Sequence, residues 1–386
     1  MHWLEPILVT LYGFVVVMRL HTLCFTPFVI CLSALASSLW AEDTEKPELV
    51  WHDVSDWGVE GRAWTEEERF NYFDRFPAQG KETLREAVWN LSESPTGMMA
   101  RFETDASEIW VRYELRSEKI ALAHFPATGV SGLDLYARDG EGKWRWVQAA
   151  RPYSQEVETK LLDDISPELR EYAAYLPLRN PVNKLEIGVP AGTEFRGLAP
   201  RQELPIVFYG TSINHGVAAS RPGMVHTAIL GRHFDRPVVN LGFGGNGRME
   251  KEVGDFLERL DAAVFVIDCL PNMGPDLVSE RCVPLVNQLR KAHPDTPIVL
   301  VEDRRYANSW IRPEKDAFHD RNHAALQEAY RTLKSAGVKR LYYIEGDHLF
   351  GDDSEGTVDG SHPTDLGFWR QAEVFKPVLK KALKGR

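Results

Sequence analysis

Five short apolar runs in the second half of the chain restrict its fold more than any other feature. They occupy residues 205–209, 237–241, 263–267, 297–301 and 340–344. They do not alternate apolar with polar residues, so strands built from them must be covered on both faces. A parallel sheet between two layers of helices provides that cover. The stretches between them, such as 278–293 and 317–336, have the three-to-four-residue apolar spacing of helices. The expectation for residues 203–386 is therefore a three-layer α/β domain with a flavodoxin-like parallel sheet.

Before residue 200 the pattern is different. Residues 108–115, 133–136, 143–147 and 184–189 alternate apolar and polar positions and are rich in aromatic and β-branched side chains. Such segments suit half-buried strands. Asp139-Gly140-Glu141-Gly142 separates two of them as a hairpin turn would. Residues 45–200 are thus expected to form a small antiparallel, jelly-roll-like β-sandwich, with its tryptophans in the core. Sugar binding by those tryptophans is the alternative reading.

The first 41 residues contain only Glu5 and Arg19 as charged side chains, and the apolar stretch 20–39 ends at Trp40-Ala41 before Glu42-Asp43. This is the pattern of a cleaved signal peptide, with Met18 as an alternative start. Export to the periplasm or outside the cell follows from it; an uncleaved membrane anchor is the competing reading. The formal net charge of −11 argues against a nucleic-acid partner, which needs a basic face. Cys269 and Cys282 remain after cleavage. They read as two buried thiols, although an exported compartment also permits a disulfide.

In a parallel sheet the reactive groups gather in loops beyond the carboxyl ends of the strands. The first run is followed by Gly210-Thr211-Ser212-Ile213-Asn214, and the second by Gly242-Phe243-Gly244-Gly245-Asn246-Gly247. The third leads into Asp268-Cys269-Leu270-Pro271-Asn272, and Asp359-Gly360-Ser361-His362 lies beyond the last. A serine hydroxyl needs a base to take its proton. An imidazole suits that task, and a carboxylate fixes its tautomer. The residues expected to act are Ser212 as nucleophile, His362 as base and Asp359 as its orienter. The N–H groups of Ser212 and Gly245 and the amide of Asn272 are the expected oxyanion donors.

These blocks resemble those of the SGNH-hydrolase (GDSL-type esterase) superfamily, whose roles fall on the same five positions. Two departures stand out: the usual Gly-Asp-Ser-Leu reads Gly210-Thr211-Ser212-Ile213, and the usual Gly-x-Asn-Asp reads Leu270-Pro271-Asn272-Met273. A narrower resemblance rests on Gly132-Leu133-Asp134-Leu135-Tyr136. It is similar to the signature of a GxDLY-type sandwich module that precedes the catalytic half in one exported bacterial subgroup. Residues 219–224, 240–243 and 268–273 resemble that subgroup's catalytic half. The resemblance implies a serine esterase cutting short acyl esters, acetyl foremost, on carbohydrates, with no metal or organic cofactor. A lipid or aryl esterase and an inactive glycan-binding protein are the alternatives.

Several other patterns have plainer readings. Gly242, Gly244 and Gly247 match a dinucleotide fingerprint but follow the second strand of the domain, and read as a loop that frees Gly245. His215 reads as a loop or pocket residue. His319 and His323, spaced four apart, read as a solvated helix face rather than a metal pair, and 352–355 as a surface turn. Arg304, Tyr306 and Trp310 follow the fourth run and either line the substrate pocket or pack their loop.

Overall fold

The computed structural model describes residues 47–385; the signal-peptide expectation therefore lies outside the described residues. Nine strands form the first part: β1 (Leu49–Asp53), β2 (Met99–Thr104), β3 (Ile109–Leu115), β4 (Asp134–Arg138), β5 (Trp144–Ala149), β6 (Glu156–Leu162), β7 (Arg170–Tyr175), β8 (Val182–Pro190) and β9 (Phe195–Leu198). They make two antiparallel sheets, ordered β1-β8-β3-β6 and β5-β4-β7-β2-β9. In β3 the period of two is plain: Ile109, Val111, Tyr113 and Leu115 point inward. They meet Ala100, Phe102, Leu135 and Tyr172 of the other sheet in one core. The β4–β5 hairpin turns where expected, with Asp139 Oδ1 accepting from the N–H of Glu141 and Lys143.

The tryptophans of the sandwich strands are not its core, although Trp57, just after β1, packs against it. Trp51, Trp110 and Trp144 are only partly buried and Trp146 is 48% exposed. Each lies beneath a cation instead: Arg112, Lys160, Arg138 and Arg221 sit 4.2–5.9 Å from the respective ring centroids of Trp51, Trp110, Trp144 and Trp146. A large ring with a polar edge is well served by a surface where one face packs and the other meets a guanidinium.

The second part contains the parallel strands β10 (Ile206–Gly210), β11 (Val238–Gly242), β12 (Val264–Asp268), β13 (Ile298–Val301) and β14 (Leu341–Ile344), ordered β11-β10-β12-β13-β14. The order reverses beside β10, so the loops after β10 and β12 open on the crevice where such sheets hold ligands. Successive residues of each strand enter opposite layers. Val207, Tyr209, Phe265 and Ile267 pack with α5 (Lys251–Leu257), α6 (Pro275–Ala292) and α7 (Pro313–Ser335). Ile206, Phe208, Val264 and Val266 pack with α4 (His226–Phe234) and α8 (Asp365–Ala382). Helices α6 and α7 each begin on a proline, whose fixed φ suits the first helical position.

The two parts are not independent layers. The segment between β1 and β2, with α1 (Gly80–Thr83) and α2 (Glu86–Ser92), leaves the sandwich and enters the α/β core. Trp64, Phe76, Leu84, Val88 and Trp89 belong to the same cluster as Phe243 and Phe256. Phe76 is fully buried there, and truncating it to alanine costs about 3–5 kcal/mol. The short helix α3 (Ala127–Val130) packs at the turn after β10 through Val130, beside Ile213 and Ala219. Cys269 and Cys282 are free, buried thiols. Among the described residues no helix is long and apolar enough to cross a membrane.

Candidate active site

Ser212 sits in the tight turn that follows β10. Asn214 shapes this turn: its Oδ1 accepts from the Thr211 N–H at 3.0 Å. A Cβ on Gly210 would lie 2.0 Å from that oxygen, so the strand must end in glycine. Asn214 in turn donates to Asp268 Oδ2 at 3.0 Å. Asp268, fully buried at the end of β12, is held by both terminal nitrogens of Arg304. Burial raises the Asp268 carboxyl above its usual range, against the pull of Arg304. Arg304 also donates to Gln371 Oε1 at 2.9 Å and is 1% exposed; it packs beneath the site and lines no substrate pocket.

The 359–362 loop approaches from the far side of the sheet edge. The Ser212 hydroxyl donates to His362 Nε2 at 2.9 Å, and the His362 Nδ1–H donates to Asp359 Oδ2 at 2.7 Å. Asp359 Oδ1 accepts from the backbone N–H of Ser361 at 3.0 Å and of His362 at 2.8 Å. Burial pushes its carboxyl up, but those donors and the imidazole outweigh it, leaving Asp359 below the ordinary carboxylate range. The loop is closed by a bridge between Thr357 and Pro363, and the Thr364 side chain caps α8 directly after it.

The glycine loop packs on the nucleophile turn, and Asn272 is bonded to that loop. A Cβ on Gly244 would fall 3.7 Å from that of Ser212, which places the glycine loop against the nucleophile turn. Asn272 Oδ1 accepts from the Gly247 N–H at 3.3 Å, which turns its Nδ2 away from that contact. Among the described residues, the N–H groups of Ser212 and Gly245 and the Asn272 Nδ2 have no protein acceptor. Gly245 has φ +71°, a conformation that other residues rarely adopt. Gly242 and Gly247 are there for contact. A Cβ on Gly242 would meet His215 N at 2.3 Å and one on Gly247 would meet Gly210 O at 2.0 Å.

His215 turns away from the reaction. It is fully buried, bonded through Nε2 to Ser94 Oγ at 3.1 Å, and held well below the usual imidazole range by burial and then by Arg75 and Arg179. His319 and His323 do not form a solvated face, as spacing had suggested. They are 0% and 6% exposed and point at the end of β13, His319 Nδ1 2.9 Å from Asp303 Oδ2 and His323 Nε2 2.7 Å from the Asp303 carbonyl. Trp310 is 79% exposed, while Tyr306 is tied to His319 by its backbone. A cleft of about 880 Å³ lies between Arg85, Arg248 and Arg281 and is lined by none of Ser212, Asp359 or His362.

Two neighbours of the site carry no motif. His124, exposed on the loop before α3, has its ring 5.6 Å from that of His362. Its ligating atoms and those of Asp359 and His362 lie within 4.8 Å of one another; two of the three are already engaged with each other, and no metal is assigned to them. Arg75 reaches the glycine loop from the segment between β1 and β2. Both are far from the catalytic loops in sequence, and only the fold brings them near.

Comparison with known proteins identifies the family and the fold. The model of the GDSL-like lipase/acylhydrolase family matches residues 203–380, and that of the GxDLY N-terminus of SGNH-type esterases matches 49–195. A GDSL-like lipase from Bacteroides ovatus is 35% identical, with a TM-score of 0.83 over 87% of this chain and 98% of its own. A salicylyl-acyltransferase from a tetracycline biosynthetic pathway shares the fold at 18% identity, TM-score 0.66, over 87% of this chain and 95% of its own. A family two carbohydrate esterase from Clostridium thermocellum, in complex with cellohexaose, does so at 13% identity, TM-score 0.53, over 75% and 96%. No curated protein sequence is a significant match. The chain belongs to the GDSL-like lipase/acylhydrolase family and is a carboxylic ester hydrolase with an SGNH-type α/β fold behind a GxDLY sandwich.

Proposed function

We propose that the protein is a serine esterase that removes short acyl groups, acetyl foremost, from carbohydrates by way of an acyl-enzyme. The observation that carries this reading is the unbroken hydrogen-bonded line from Ser212 Oγ through His362 to Asp359, at 2.9 and 2.7 Å. Ser212 Oγ attacks the ester carbonyl while His362 Nε2 takes its proton. Asp359 holds the ring and offsets the charge of the imidazolium as it forms. The carbonyl oxygen, now an anion, receives the Ser212 and Gly245 N–H groups and the Asn272 amide, donors that need no reorganisation. His362 gives the proton to the departing sugar oxygen, which leaves as a hydroxyl, and water then releases the acid by the same steps.

The carbohydrate assignment has its own support. Trp310 presents a nearly bare ring on a segment tied to the catalytic loop through the Ala307 N–H and the Gly360 carbonyl. Ile311 beside it is 59% exposed, so the segment offers an apolar patch on which a sugar face can rest. Proteins of the same fold include an acetyl xylan esterase from Butyrivibrio proteoclasticus, at 12% identity and TM-score 0.52. The apolar stretch before residue 42 supports export, to where polymeric substrate is met; N-terminal sequencing of the exported protein tests that reading. The test of activity is acetate release from a panel of acetylated oligosaccharides, beside nitrophenyl esters of rising chain length. Rapid release from the glycans, abolished by Ser212→Ala with fluorophosphonate labelling lost, is expected. Preference for long acyl chains overturns the substrate assignment, and full activity of Ser212→Ala overturns the mechanism.

A further inference from the structure

The glycine loop that offers Gly245 is gripped at both ends by arginines from the first part of the chain. At its start, Arg75 Nη1 donates to the carbonyls of Asn240 at 3.0 Å and Gly242 at 2.9 Å. The same guanidinium donates through Nε to Ser94 O at 3.0 Å and through Nη2 to Leu91 O at 2.6 Å, and lies 4.8 Å over the Phe243 ring. It is fully buried, and none of its partners is a carboxylate. At the loop's end, Arg85 Nη1 donates to Asn246 Oδ1 at 2.7 Å and Nη2 to the Asn246 carbonyl at 3.3 Å, while Nε holds Glu250 at 2.7 Å. Asn246 Nδ2 closes back on the Gly244 carbonyl at 2.7 Å. Phe76 stacks on Phe243, rings 5.8 Å apart and 15° from parallel.

A buried cation without a counter-ion is expensive, and burial, with Arg179 nearby, brings the Arg75 guanidinium down to about 9. Its partners are backbone carbonyls and the Ser94 hydroxyl, so an apolar replacement leaves buried acceptors unpaired, and what the side chain determines is which carbonyls are tied together. Two of its bonds end on the strand that launches the loop, and so fix where the loop begins.

We propose that the segment between β1 and β2 is a built-in brace for the 242–247 loop, with Arg75 and Arg85 as positioning residues for the Gly245 N–H. The inference rests on the oxyanion role given to Gly245 above. It also gives the sandwich half a task in the reaction other than holding glycan: the loop is aimed by residues that precede it by about 160 positions.

The test uses the whole chain and a small substrate, nitrophenyl acetate, so that glycan contacts do not enter. The side chain of Arg85 is 39% exposed, so Arg85→Met should fold as the parent does. It is expected to lower kcat about tenfold with KM within twofold, because a donor displaced by a fraction of an ångström loses most of its effect on the transition state. An acetyl-mimicking boronic acid should lose affinity by a similar factor, while Arg85→Lys, which still reaches Asn246 Oδ1, should recover part of both. Arg75→Lys, which keeps the charge but cannot span Asn240, Gly242 and Leu91 together, should lose at least as much. Asn272→Ala and Ser212→Ala separate the two ideas. If both keep full turnover, the serine reading itself fails and the brace falls with it. If both lose turnover while Arg85→Met and Arg75→Lys keep parental kcat and boronate affinity, the brace alone is refuted.

Discussion

The Asp268–Arg304 pair beneath the nucleophile turn allows a quantitative forecast. Both side chains are essentially unexposed, so Asp268→Leu strands a charged guanidinium whose remaining side-chain partner is Gln371. Breaking one side of such a pair costs about 3–5 kcal/mol. A folded unit of this size unfolds with an entropy near 0.7 kcal/mol per kelvin, so the expected fall in Tm is about 4–7 °C. In the double variant Asp268→Leu, Arg304→Met the stranded charge is gone. What remains is the Asn214 amide, orphaned in both variants, and a Gln371 Oε1 without its donor, which costs about 1–3 kcal/mol. Burial already raises the Asp268 carboxyl despite Arg304, so the pair adds little net stability. The double variant should therefore melt about 3 °C above the single one. Both should lose kcat, because Asn214 no longer has Asp268 to hold it against the Thr211 N–H. Differential scanning calorimetry of the four proteins completes the cycle. A double variant that melts at or below Asp268→Leu refutes the reasoning, for it would mean that the pair was net stabilising.

Three further outcomes are expected. Gly245→Ala has room for its methyl group but inherits φ +71°; it should cost about 1–2 kcal/mol of stability and a larger share of kcat, read by steady-state kinetics beside a melting curve. Asp359, with its pKa depressed, is ionised throughout the ordinary assay range. Its support for His362 is present above the usual carboxylate range and is lost only as pH falls through its own lowered value, so it does not set the acid limb of kcat/KM. Asp359→Asn should accordingly lower the whole profile by on the order of 10³- to 10⁴-fold, and a substitution that removes the acid limb while keeping the plateau contradicts this. Burial pushes the Cys269 thiol well up and the Cys282 thiol to about 12, so neither should react with a thiol reagent until the protein is unfolded.

The parallel sheet was legible because each of its strands is apolar on both faces, and Ile206–Gly210 begins within a residue of the expected run. The loops beyond it were legible for a related reason: chemistry there needs particular side chains at strand ends. The sandwich was read less completely. Strand β6 carries two glutamates and a lysine on an exposed edge, and β7 runs Arg-Glu-Tyr-Ala-Ala-Tyr, a composition helices use equally well. The buried face of α7 was misjudged although its signal was present. Positions 319, 322, 323, 326, 329 and 333 are all buried at helical spacing, but two histidines and an asparagine disguise the stripe. Arg75, Ser94 and His124 lie beyond such reasoning, because a contact across more than a hundred residues leaves no local period. A buried arginine bonded to carbonyls does not even leave an acidic partner to look for.

Two stretches that resemble the same subgroup separately prove to be the two sides of one contact. Asp134, fully buried, accepts from Arg221 Nη1 at 2.8 Å, from the Gly223 N–H at 2.7 Å and from Trp146 Nε1 at 2.9 Å. Arg221 also reaches the Tyr136 hydroxyl at 2.6 Å, and a Cβ on Gly223 would lie 2.4 Å from the Tyr136 ring. Burial raises the Asp134 carboxyl above its usual range, a cost that only a full set of donors makes tolerable. The loop it clamps continues to Ser220, whose carbonyl accepts from Thr128 Oγ1 at 2.6 Å and whose N–H donates to Asp365 Oδ1 at 2.9 Å. Asp365 is the first residue of α8, three positions beyond His362. A continuous set of bonds thus runs from the sandwich signature to the loop that leaves Ser212 and on to the helix that follows His362. The separation of hydroxyl and imidazole is fixed in part by residues of the other fold half, which is a physical reason for the sandwich signature and the 219–224 stretch to occur in one chain.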